Sequence, residues 1–286
     1  MRQQIRKISI DGLKPFAKGA TGECFRLEED SVLKLYYEGF PMEMIEREKK
    51  CAKTAFIASI PTAISFHIVE AGSRLGIVYE YVSGKTLSEL TAADPTEASH
   101  FGRIFGKLAV LLHGADASAA ELSLATAEVR EAMKRVDYLS GDALARIYDF
   151  LDELDKEKSF VHGDFHPNNV IISKDGPMLI DMGGFSIGSP LFDLATTYFS
   201  LFASPDAVKG GRSEFNGLNH EEAQAFWDGC VEAYFGEKGL DDDTRARLMK
   251  VVLLKKLWFE RMYGEYFKVG DYSKSVCDEV KAVFEA

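Results

Sequence analysis

The strongest chemical signal in the chain is one run of eight residues, His162-Gly163-Asp164-Phe165-His166-Pro167-Asn168-Asn169. Beyond it, Val170-Ile171-Ile172 and Met178-Leu179-Ile180 flank Lys174-Asp175-Gly176, which reads as a hairpin turn. The hairpin should return Asp181 beside Asn169, although twelve positions separate them. A carboxylate that can orient or deprotonate a hydroxyl, followed by an amide oxygen and a second carboxylate, suits phosphoryl transfer from ATP. That reaction asks the protein for positioning and for oxygen ligands to magnesium, and little covalent chemistry. In this reading Asp164 is the base, and Asn169 and Asp181 are the metal ligands. His162 and His166 support the loop by hydrogen bonding, and Pro167 stiffens it. A competing reading makes His162, Asp164 and His166 a metal-hydrolase cluster on one strand face. Such sites need further ligands, and the chain has only six histidines to supply them.

A lysine earlier in the chain also needs an explanation. Lys34 sits among Val32, Leu33 and Leu35. An unpaired ammonium is costly in such a strand. Glu48, on a helix expected from Pro41 to about Ala58, resolves the cost, with Glu46 as its competitor. Ahead of Lys34, Gly19 and Gly22 in Lys18-Gly19-Ala20-Thr21-Gly22-Glu23 form either an ordinary hairpin turn or a phosphate-binding loop in which Thr21 donates its hydroxyl.

The run at 162–169 resembles the catalytic loop of the aminoglycoside phosphotransferase and choline kinase superfamily, H-G-D-x-x-x-x-N, at each of its fixed positions. The resemblance implies a protein-kinase-like fold. It further implies that Lys34 contacts ATP phosphates, that Glu48 is its helix partner, and that Glu80–Val82 form a hinge reading adenine through backbone groups. It implies that Asp181 binds metal and that Asp193, in Phe192-Asp193-Leu194-Ala195, braces the catalytic loop. Two features depart from related patterns: a full G-x-G-x-x-G is missing, and Met182-Gly183 replaces the Phe-Gly that follows the metal aspartate in protein kinases. Only twelve positions separate Asp181 from Asp193, and no Ala-Pro-Glu follows. There is no room for a protein kinase's activation segment. The implied activity is therefore ATP- and Mg2+-dependent transfer, with GTP as the alternative donor, to a hydroxyl of a small molecule: an aminoglycoside, a choline-like amine, a sugar or a related metabolite. The alternative is a non-catalytic nucleotide-binding regulator of the same fold.

The elements that must position these residues can be read from periodicity. Ile8 and Ile10 alternate with polar residues, strands follow around Cys24–Leu27 and Ser31–Tyr36, and two more are expected at Ala63–Val69 and Leu75–Val82. Met44, Ile45, Cys51, Ala52 and Ala55 mark the apolar face of the intervening helix. After Ser83-Gly84-Lys85 the pattern turns helical. Phe101, Ile104, Phe105, Leu108, Leu111 and Leu112 mark a central helix, and Leu144, Ile147, Leu151 and Leu154 mark another. The expected architecture is α+β and two-lobed: a small β-rich nucleotide-binding lobe over 1–82 and a larger helical catalytic and substrate-binding lobe over 83–286. The late aromatics Trp227, Tyr234, Phe235, Trp258, Phe259, Tyr263, Tyr266 and Phe267 read as core, with a cage for a cationic substrate as the alternative. Asp241-Asp242-Asp243 reads as a helix cap.

Bulk properties fit a soluble enzyme. The 286 residues are 46% hydrophobic and 28% charged. The net charge of -11 is unsuited to nucleic acid. Four scattered cysteines without a C-x-x-C pair suggest reduced thiols and a cytoplasmic location. No leader and no membrane span are expected.

Overall fold

The computed structural model describes residues 5–267 and 270–285. Residues 1–4 lie outside this description, as do the side chains of Glu265, Tyr266 and Phe267. The chain divides into two units. One holds the N-terminal part through Lys85 together with Ile171–Phe185, and the other holds Thr86–Val170 and the chain from Ser186 on.

The first unit is built on six strands, β1 (Arg6–Lys7), β2 (Pro15–Lys18), β3 (Gly22–Glu28), β4 (Ser31–Tyr36), β5 (Ser65–Ala71) and β6 (Arg74–Glu80), with helix α1 (Met42–Ile57) between β4 and β5. Their order in the sheet is β1-β5-β6-β4-β3-β2. All neighbours are antiparallel except β1 and β5. Alternation along β4 sends Leu33 and Leu35 to one face, where they pack with Phe25, Val69 and Val78. Tyr36 goes to the other face with Ile77 and Ile45 of α1. Lys34 shares that second face and so points toward α1. On α1 the buried residues are Ile45, Glu48, Cys51, Ala52 and Ala55. Met44 is largely exposed, contrary to the apolar face read from the sequence. It lies one position before the buried row, on the solvent side.

The sequence reading places all of 83–286 in the second domain, whereas 171–185 groups with the first unit. The reason is a set of long-range hydrogen bonds to the first unit. Leu179 N–H donates to the Pro61 carbonyl (2.8 Å). Thr62 Oγ1 donates to the Leu179 carbonyl, and Cys51 Sγ to that of Phe185.

The second unit begins as the chain leaves the two-residue strand β7 (Lys85–Thr86). It contains α2 (Leu87–Ala93), α3 (Ala98–Gly114), α4 (Ala127–Met133), α5 (Gly141–Leu154) and strand β8 (Ser159–Val161). The hairpin strands β9 (Val170–Ser173) and β10 (Gly176–Leu179) follow in the chain but belong, from Ile171 on, to the first unit. Strand β11 (Ser186–Gly188) pairs antiparallel with β8. Helices α6 (Leu191–Tyr198), α7 (His220–Phe235), α8 (Asp242–Phe267) and α9 (Gly270–Phe284) complete the chain. Asp241 caps α8 by accepting from Thr244 N–H (2.8 Å), the role expected for the acidic run. Helices α3 and α7 pack so closely that a Cβ on Gly102 would fall 2.0 Å from the Phe226 carbonyl oxygen, and one on Gly229 2.1 Å from that of Ser99. This contact rotates α3 away from the stripe read by periodicity. Ala98, Gly102, Phe105, Leu108, Ala109 and Leu112 are buried, and Leu111 is 48% exposed.

Candidate active site

In the first unit, Lys34 Nζ lies 2.8 Å from Glu48 Oε1 and 2.8 Å from Asp181 Oδ1. Glu46, the competing partner, is exposed. Lys34 and Glu48 are nearly buried, at 14% and 8% side-chain exposure, and Asp181 is half open. Tyr79 Oη donates to the same Glu48 oxygen (2.9 Å), a contact the sequence does not announce. Burial pulls the Lys34 ammonium down in pKa. The charges of Asp181 and Glu48 and their hydrogen bonds more than reverse this and raise it well above the usual lysine range. Asp181 adopts a left-handed backbone (φ 61°, ψ 65°) at the end of the hairpin, a conformation that aspartate tolerates better than most residues. A Cβ on the following Gly183 would stand 3.2 Å from Glu48 Oε2, so a side chain there would crowd the ion pair.

The expected phosphate loop is the turn between β2 and β3. Gly22 is demanded by packing: a Cβ would fall 2.4 Å from the Leu35 carbonyl oxygen. Gly19 meets no such obstacle. The Thr21 carbonyl accepts from Tyr37 N–H (2.9 Å), which ties the loop to the end of β4. In the hinge segment, Glu80 N–H and Tyr81 N–H are already bonded to Ile64 and Asp30 carbonyls (2.8 Å each). Val82 N–H has no partner among the described residues.

In the second unit the catalytic-loop candidate is clamped from below. Asp193, fully buried on α6, accepts from His162 N–H and Gly163 N–H (2.8 Å each). Its Oδ2 also lies 3.1 Å from His113 Nε2, and His113 Nδ1 lies 2.9 Å from Tyr234 Oη. Gly163 needs to be glycine because its φ is +83°. His162 Nδ1 accepts from Asp164 N–H (3.2 Å). Asp164 Oδ2 is held by His166 Nε2 and by Asn169 Nδ2 (3.2 Å each). Oδ1 has no protein partner among the described residues. Burial pushes the Asp164 carboxyl up in pKa, but the charge and hydrogen bond of His166, with the charges of Lys255 and His162, hold it well below the usual range. Its side chain is 52% exposed.

Four participants escape the sequence reading. His113 is marked only by its place on the buried face of an amphipathic helix. Asn168 Nδ2 donates to the Phe215 carbonyl (2.7 Å), and the Phe215 ring packs edge-on to His166. Lys255 Nζ donates to the Gly163 carbonyl (3.3 Å). Three of the late aromatics that are described are taken up by the protein itself. Trp227 is buried, Tyr234 is bonded to His113, and the Trp258 face is covered by the chain's own Lys255 at 4.2 Å. Among the described residues no group of three histidine, cysteine or carboxylate side chains is placed to hold a metal, and His162, Asp164 and His166 do not form such a cluster.

The family model described as the phosphotransferase enzyme family matches residues 12–227. No curated protein sequence matches the chain. Among solved structures, a choline/ethanolamine kinase family protein from Mesorhizobium loti is 16% identical, with a TM-score of 0.61 over 96% of this chain and 88% of that one. An aminoglycoside phosphotransferase bound to AMP-PNP and hygromycin B is 15% identical, with a TM-score of 0.62 over 94% and 93%. An amicoumacin kinase bound to AMP-PNP and Ca2+ is 14% identical, with a TM-score of 0.63 over 97% and 90%. At these identities the likeness establishes the fold, which is protein-kinase-like.

Proposed function

Because the chain belongs to the phosphotransferase enzyme family, we propose that it transfers the γ-phosphoryl group of ATP to a hydroxyl of a small molecule. The observation that carries this reading is Lys34 held between Glu48 and Asp181, 2.8 Å from each. Such a lysine serves as a contact for nucleotide phosphates, and Glu48 keeps it aimed. Val82 N–H is the donor of the hinge segment that remains for an adenine edge, while Glu80 contributes through its carbonyl. The turn at Gly19, Thr21 and Gly22 covers the phosphates.

The donor set fits a divalent cation of the magnesium type. Asp181 offers a half-open carboxylate. Asn169 directs its amide nitrogen to Asp164, which leaves the amide oxygen as its metal-binding end. Hard oxygen donors in so small a number suit an ion that takes its remaining ligands from phosphate and water. When bound, magnesium neutralises charge on the nucleotide phosphates.

Asp164 orients the acceptor hydroxyl through Oδ1 while His166 and Asn169 hold Oδ2. A carboxylate of low pKa is a weak base, so it takes the proton late, as a loose phosphoryl transition state permits. Asp193, His113 and His162 keep the loop in place. The chain's four cysteines are unpaired, which agrees with a cytoplasmic protein. Its negative charge argues against a nucleic acid partner.

The test is incubation with ATP or GTP, Mg2+ and a panel of sugars, amino alcohols, aminoglycosides and nucleosides, with products read by mass spectrometry. We expect a phosphorylated acceptor from the wild type and none from Asp164→Asn, which should still bind nucleotide. A positioned base contributes on the order of 10²–10⁴ in rate. Wild-type turnover by Asp164→Asn, or transfer of the nucleotide in place of phosphate, would falsify the reading.

A further inference from the structure

Three of the six basic side chains on α8 form ion pairs. Arg247 pairs with Glu157, Lys256 with Glu279, and Arg261 with Glu260. Lys255 does not. Among the described residues it makes no ion pair, although it is partly buried. Its ammonium donates to the Gly163 carbonyl, one residue before Asp164, and rests 4.2 Å over the Trp258 ring. A carbonyl and an indole face satisfy a cation only in part, and a partly buried ammonium without an ion-pair partner is suited to an anion. We propose that Lys255 is a further catalytic residue, whose ammonium contacts an oxyanion at the reacting centre beside Asp164.

The oxyanion has two possible sources, the transferring phosphoryl group or an anionic group on the acceptor. A point-charge donor fixed by the fold suits either, and cations so placed stabilise charge that develops during phosphoryl transfer. The same cation disfavours an acceptor whose hydroxyl sits beside a fixed positive charge, because the two would repel at close range.

The proposal rests on the reading of Asp164 as the base, and Asp164→Asn tests that reading separately. Here the variants are Lys255→Met and Lys255→Arg. Lys255→Met should lower phosphoryl transfer about ten- to a hundredfold, with Lys255→Arg recovering most of it, at an unchanged urea midpoint. If the transferring phosphoryl is the partner, acceptor-free ATP hydrolysis falls in parallel. If the acceptor is the partner, the loss is confined to anionic acceptors and appears in KM. A second readout does not depend on turnover. The chain has two tryptophans, so Trp227→Phe, a change to a buried ring packed against Tyr198, leaves Trp258 as sole reporter. Titration with inorganic phosphate should draw the ammonium from the indole and shift Trp258 emission, and Lys255→Met should abolish the shift. Absence of the shift in the wild type, or its persistence in Lys255→Met, overturns the proposal. So does a Lys255→Met enzyme within twofold of wild type, or a loss that arginine does not restore and that comes with a lower urea midpoint.

Discussion

Lys34 has two partners and Glu48 has two, but they are not equivalent. Removing the lysine leaves Glu48 buried with the Tyr79 hydroxyl as donor and strips Asp181 of its counter-charge. Neutralising Glu48 leaves the Lys34–Asp181 pair and the Tyr79 hydroxyl in place. Lys34→Met should therefore cut kcat/KM by about 100-fold or more and destabilise the fold by about 3 kcal/mol, the cost of orphaning one half of a buried pair. Glu48→Gln should cost about tenfold in kcat/KM and little stability. Steady-state kinetics with urea titrations check this, and a Glu48→Gln variant worse than Lys34→Met sinks the assignment. This pair was legible in the sequence because a lysine between apolar strand residues needs a carboxylate, and α1 presents Glu48 one turn from Cys51 on its buried face. His113, Asn168 and Lys255 were not legible. Each acts through a partner 80, 47 or 92 positions away, and no local pattern marks such a contact.

At the scale of elements, the site depends on how close two helices come. Gly102 and Gly106 on α3 and Gly229 on α7 let the backbones touch, since added Cβ atoms would meet carbonyl oxygens at 2.0 to 2.5 Å. At the far end of α3, His113 links Tyr234 of α7 to Asp193, and Asp193 holds the catalytic loop. Gly102→Ala should therefore destabilise by about 2 kcal/mol or more, because backbone cannot yield as a flexible side chain does. It should also lower kcat more than nucleotide affinity, since the helix shift reaches Asp193. A Gly102→Ala protein with wild-type urea midpoint and kcat would show that the approach is not tight. Periodicity alone put Leu111 on the buried stripe. Glycine carries no hydrophobic signal, so a face built on close backbone approach is read a few tens of degrees out of register. The hairpin strands and the turn at Lys174-Asp175-Gly176 were legible because turn chemistry is local. That 171–185 packs against Pro61 and Thr62 was not, because those bonds span more than a hundred positions.

At the scale of the whole molecule, buried protons set an alkaline limit. Burial pushes the Cys230 thiol up to about 12 from an ordinary 9.0. Burial likewise raises Cys51, and it raises the phenols of Tyr36, Tyr79, Tyr138, Tyr234 and Tyr272, with Tyr138 reaching about 12. The sign follows from proton counts. Above pH 9 the unfolded chain releases these protons while the folded chain keeps them, so the unfolded state binds fewer and stability falls as pH rises. Below pH 9 both states hold the protons, and these groups give no pH dependence. At pH 10.5, one and a half units above the thiol's ordinary value, Cys230 alone should cost about 2 kcal/mol. Urea midpoints should thus be flat from pH 7.5 to about 9 as far as these groups are concerned, then drop steeply. Cys230→Ala, whatever its effect at neutral pH, should flatten the drop between pH 9 and 10.5, because it removes one titrating proton from the difference. Parallel pH slopes for wild type and Cys230→Ala would mean that the thiol ionises in the folded protein as freely as in the unfolded one, and that the α3–α7 interface admits water where the structure packs Cys230 away from it.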